Sequence, residues 1–90
     1  MKKIVPDPPL LTAGLETFNE SGNPPVDMFR ILPGIPAEHA YDEVMNLLAC
    51  IRHLLHEGLM EQDARLLTAA DYLSAFAKAL MTDVERGRLH

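Results

Sequence analysis

The sequence predicts an all-α protein: an antiparallel two-helix hairpin behind an extended N-terminal arm with a short strand, paired with a second copy into a four-helix bundle. Three observations carry this reading. Apolar residues recur every three or four positions from Pro36 to Gly58, and again from about Glu61 or Asp63 to Val84; this spacing lines one side of an α-helix. Only a few residues, around Gly58 to Gln62, join the two stretches, which makes the helices antiparallel neighbours. Five of the seven prolines stand before residue 28, and each removes a backbone donor and biases its predecessor towards an extended conformation.

Residues 1–27 are therefore expected to form a proline-rich extended arm, and residues 28–90 the helical hairpin domain. Within the arm, Leu11, Leu15 and Phe18 can share a face of one or two helical turns, which the polar run Asn19 to Asn23 ends. From Val26 to Leu32 the chain reads as a short strand, with Phe29 and Ile31 on one face and Met28, Arg30 and Leu32 on the other. A lone strand leaves its backbone groups unpaired. No second convincing strand is visible, so the same strand of another copy is the expected partner.

The Pro33-Gly34 turn leads to Pro36, well placed as a first helical residue because its missing N–H is not needed there. Glu38 adds a favourable negative charge to the first turn. Ala40, Val44, Leu47, Ile51 and Leu54 mark the stripe of the first helix, and Gly58 reads as its C-terminal stop. The second helix carries Leu66, Ala70, Leu73, Ala77, Leu80 and Val84, with Arg86 and Arg88 suiting the negative end of its dipole and Gly87 limiting further extension.

Each stripe is wider than one neighbouring helix covers. A lone hairpin would leave several hundred Å² of apolar surface in water, on the order of the largest patches a soluble monomer exposes. A homodimer forming a four-helix bundle hides it; the rival is a monomer in which the arm of residues 1–32 covers the stripe, in part through Leu10, Leu11, Leu15, Phe18, Met28 and Phe29. The expected interface residues are Phe29, Ile31, Tyr41, Val44, Leu48 and Ile51, continuing with Leu55, Leu66, Leu73, Phe76 and Leu80.

Composition narrows the function classes. The chain is 48% hydrophobic and carries a net charge of −5, which favours a folded body and opposes a polyanionic partner. Neither nucleic acid nor membrane is expected as a partner. No apolar run approaches the roughly 20 residues of a membrane-spanning helix, and no signal-peptide core follows Lys2 and Lys3. A cytoplasmic location is the default. The single cysteine, Cys50, forms no internal disulfide or Cys-x-x-Cys motif.

No residue is expected to be catalytic, and no cofactor is expected. Cys50 has no base or oxyanion donor placed beside it by the spacing. His53, His56 and Glu57 are the weak metal candidates, yet they match neither the His-Glu-x-x-His pattern of a zinc hydrolase nor the ligand set of a di-iron bundle. As a nucleic-acid reader, the second helix would present Asp63, Arg65, Thr68, Asp71, Ser74, Lys78 and Asp83, of which three are acidic.

Phe29-Arg30-Ile31-Leu32-Pro33-Gly34-Ile35-Pro36-Ala37-Glu38-His39-Ala40, then Leu47-Leu48-Ala49-Cys50, and later Arg65-Leu66-Leu67-Thr68-Ala69-Ala70-Asp71-Tyr72-Leu73-Ser74 running into Ala77-Lys78-Ala79-Leu80 resemble a family of short uncharacterised proteins common in Pseudomonas, a domain of unknown function. The similarity covers about residues 28–84. It implies the architecture and brings no activity, cofactor or catalytic residue. The expected function is that of a small non-enzymatic helical protein acting through self-association and contact with an unidentified protein partner. The alternative is a metal-dependent enzyme or binding module with His53, His56 and Glu57 at an intersubunit site.

Overall fold

The computed structural model describes residues 10–88, in the order β1 (Thr17–Ser21), β2 (Val26–Arg30), α1 (Ala37–Glu61) and α2 (Ala64–Arg88). The two helices pack antiparallel as the periodicity predicts, and a two-stranded antiparallel sheet lies beside them. The first nine residues of the expected arm fall outside the described residues.

The strand partner is the first correction. Val26–Arg30 pairs with Thr17–Ser21 of its own chain, Thr17 opposite Arg30 and Ser21 opposite Val26. Thr17–Ser21 does not announce itself because its last three residues, Asn19, Glu20 and Ser21, read with Gly22 and Asn23 as a turn. Asn19 takes a left-handed backbone, φ 59°, a conformation that asparagine tolerates better than most residues. The one or two helical turns expected from Thr12 to Phe18 are likewise absent. Leu11 instead forms a bridge to Pro36, and Phe18 sits in β1. The division expected between residues 27 and 28 falls inside β2.

The helix ends differ from the sequence reading by a few residues. Pro36 caps α1 rather than starting it, its carbonyl accepting from the N–H groups of His39 and Ala40 at 3.0 and 3.1 Å. Gly58 does not stop α1; the helix continues to Glu61, and Gln62 takes the left-handed turn at φ 53°. Gly58 is needed inside the helix because a β-carbon there would approach the Leu67 side chain to 2.7 Å. Asp63 opens α2 by accepting the N–H of Arg65 at 2.9 Å, which supplies one of the orphan donors of a helix start. That bond, helped by the Arg65 guanidinium, outweighs the upward push of desolvation and holds its carboxyl below the ordinary value.

Two apolar clusters run along the helix pair. Ala40, Val44, Leu80 and Val84 form the first with Ile31, and Leu47, Ile51, Ala70 and Ala77 form the second. In the second cluster small Ala70 and Ala77 of α2 meet large Leu47 and Ile51 of α1, and in the first small Ala37 and Ala40 of α1 meet Leu80 and Val84 of α2. Phe18 stacks between Phe29 and Phe76, with ring centroids 5.4 and 5.1 Å away, and so fastens the sheet to α2.

Candidate interaction surfaces

One side of the helix pair is covered by the arm and hairpin, and the covering is tied down by polar contacts. Thr12 is buried. Its Oγ1 donates to the carbonyl of Leu32 at 2.6 Å and accepts the N–H of Ile35 at 3.0 Å. Backbone bonds run in parallel, from Thr12 N–H to Ile35 O and from Ala37 N–H to Leu10 O. The arm thus completes the entry to α1.

At the other helix, Asp83 has no exposed surface. Its carboxylate accepts the N–H groups of Gly14, Leu15 and Glu16 at 2.6, 2.7 and 2.8 Å. Burial pushes the carboxyl upward, but these N–H groups, with that of Ala13, outweigh it and hold it below the ordinary carboxylate value. Asp83 is therefore not one of the exposed residues that the second helix was expected to offer. One turn on, a β-carbon at Gly87 would lie 1.8 Å from the carbonyl oxygen of Leu11. Gly87 does not end α2; it lets the arm reach the helix backbone. Glu16 and Arg86 close the same junction with an ion pair.

Between the hairpin and the helices lies a depression of about 400 Å³, walled by Phe18, Phe29, Phe76, Ile35 and Leu80, with His39 and Glu43 on its α1 side. Phe29 and Leu32 at its rim are 55 and 67% exposed.

Among the described residues, no part of the arm lies on the opposite side of the helix pair. On α1, Tyr41, Met45, Leu48, Arg52, Leu55 and Leu59 follow one another at intervals of four, three, four, three and four, a heptad seam. It is distinct from the seam that meets α2, which runs through Ala37, Ala40, Val44, Leu47, Ile51, Leu54 and Gly58. At 100° per residue the two seams lie roughly 90° apart, and His39 and Glu43 project roughly opposite the outer one. Met45, Leu48, Leu55 and Leu59 are 66, 49, 42 and 69% exposed.

The expected interface residues accordingly divide. Ile31, Val44, Ile51 and Leu80 are buried in the chain's own core; Leu66, Leu73 and Phe76 are half-buried in or beside it. Leu48 and Leu55 remain on the open side, with Tyr41 half-buried at its end. Phe29 is exposed, but on the hairpin side. Met45 and Leu59 lie outside the single broad stripe read from the sequence; following the Tyr41, Leu48 and Leu55 spacing as a seam of its own reaches both. His53 and His56 are exposed and Glu57 half-buried, and no group of three metal-ligating side chains gathers among the described residues. Cys50 is exposed.

The model of one protein family, described as Protein of unknown function (DUF3077), matches residues 12–87. The chain belongs to that family. The DUF3077 match reaches beyond the stretch 28–84 and takes in the arm, beginning at Thr12, which ties the arm to α1, and ending at Gly87, which admits it to α2. Comparison of this DUF3077 chain with curated proteins and with solved structures gives no match. No helix among the described residues is long and apolar enough to cross a membrane.

Proposed function

We propose that this DUF3077 chain is a non-enzymatic protein that works as a homodimer, two helix pairs meeting through their open sides to make a four-helix bundle. The observation that carries this reading is the second heptad seam on α1. A helix with one neighbour needs one seam; two seams at a right angle belong to a helix at the corner of a four-helix bundle. Among the described residues nothing covers exposed Met45, Leu48, Leu55 and Leu59, and a partner copy would remove them from water.

The hairpin side, with Phe29 and Leu32 exposed, remains free in such a dimer to meet a further protein partner in the cytoplasm. The metal-dependent alternative draws less support. His53 and Glu57 point away from the open seam, so an intersubunit site would require a different dimer. Sedimentation velocity of the wild-type chain and of Leu48→Glu tests the proposal: the wild type is expected to sediment as a dimer at micromolar concentration and the variant as a folded monomer.

A further inference from the structure

We infer that the dimer is antiparallel, with α1 against the partner's α1 and α2 against the partner's α2, in one register fixed by Asp71 and Lys78. This rests on the self-association proposed above and specifies its geometry. The outer seam of α1 is symmetric about the level of Cys50. A two-fold axis across the helices there sets Tyr41 against the partner's Leu59, Met45 against the partner's Leu55 and Leu48 against the partner's Arg52.

The register of α2 then follows without further choice. Within the chain Gly58 adjoins Leu67 and Leu66, Leu47 shares a cluster with Ala77, and Val44 shares one with Leu80, which sets the approximate levels of the two helices. On α2 the open side is marked by exposed Asp71, Ser74 and Lys78, with half-buried Leu67, which also meets Gly58, and Met81, which also packs on the core, at its two ends; the intervals are four, three, four and three. The axis placed by α1 brings Leu67 opposite the partner's Met81, Ser74 opposite the partner's Ser74, and Asp71 beside the partner's Lys78. Two independent sequences, one apolar and one charged, are thus self-complementary about the same axis.

Other arrangements lose these matches. A parallel α1 pair stacks Arg52 on the partner's Arg52. Setting α1 on the partner's α2 presses the apolar seam onto Asp71, Lys78, Glu85 and Arg88. The antiparallel pair leaves Arg52 on the outer edge of the seam, where its stem covers apolar surface and its guanidinium meets water. Met45, Leu48, Leu55 and Leu59, 42 to 69% exposed, supply the apolar part of this face, and with the exposed side chains of Arg52, Asp71, Ser74 and Lys78 the pair would bury on the order of 1,200 Å², the lower bound of a specific stable interface.

Charge reversal at exposed positions tests the register without threatening the fold. Asp71→Lys and Lys78→Asp, each alone, are expected to weaken dimerisation about tenfold, since two like-charged contacts arise per dimer. The double variant D71K/K78D is expected to return to within about threefold of the wild type. In a Cys50→Ser background, Ser74→Cys is expected to form a disulfide-linked dimer on mild oxidation, whereas the native Cys50, on the far side of α1, is not. A wild-type dimer with no rescue in the double variant and no Ser74→Cys cross-link would overturn this register while leaving self-association standing. A monomeric wild type would remove both.

Discussion

The carboxylate of Asp83, near the end of α2, accepts the N–H of Gly14 at 2.6 Å across 69 residues of sequence. With the bonds from Leu15 and Glu16 it converts three successive arm amides, which β1 and β2 cannot satisfy, into a tether. Asp83→Asn keeps the shape but loses the charge and forces one amide donor towards the N–H groups. It is expected to cost about 2–3 kcal/mol, read as a lowered urea midpoint with unchanged slope.

The same contact sets an acid limit on stability. Because the folded carboxyl titrates below its unfolded value, its stabilising effect is complete above about pH 4 and is lost as the pH falls through the lower, folded value. Denaturation at pH 6 and pH 3 should show the wild type losing more stability than Asp83→Asn over that interval. Equal losses would mean that the tether does not depend on the charge.

Gly87→Ala reverses the usual sign of its substitution. In an exposed helix interior the change gains up to about 1 kcal/mol. Here the new methyl group would occupy the place of the Leu11 carbonyl oxygen, and the arm must leave or α2 must bend. A net loss of about 2 kcal/mol is expected, measured by thermal unfolding. A stabilised variant would show that the arm does not lie on α2.

Phe18 is the middle ring of a three-ring stack. Phe18→Ala removes both contacts at once and is expected to cost about 2 kcal/mol, less than a fully buried phenylalanine. The hairpin should loosen before the helices do. Faster tryptic cleavage after Arg30, with helical circular dichroism unchanged, is the expected readout.

The helices were legible because their evidence is local: a period of three and four residues, helix-forming composition and a short link. The hairpin was only half legible. Val26 to Arg30 has the composition of a strand, whereas Thr17 to Ser21 is held as one by distant partners, the stacking of Phe18 on Phe76 and the bond from Ile31 N–H to Glu16 O. Asp83 misled for a related reason. An aspartate in a helix reads as a solvated residue, and only its place in line with Phe76, Ala79 and Gly87 marks a side of α2 that another segment covers. On α1 the stripe was seen but its division into two seams was not. Breadth alone does not say which residues the chain uses internally.

Sedimentation equilibrium of the wild-type chain between about 1 and 100 μM, a range that includes the micromolar affinities of weaker interfaces, bears most directly on the second seam of α1. The expected mass is twice the 10.0 kDa of the chain at the upper concentrations, falling to one chain throughout for Leu48→Glu. A single-chain mass for the wild type across the whole range would contradict it.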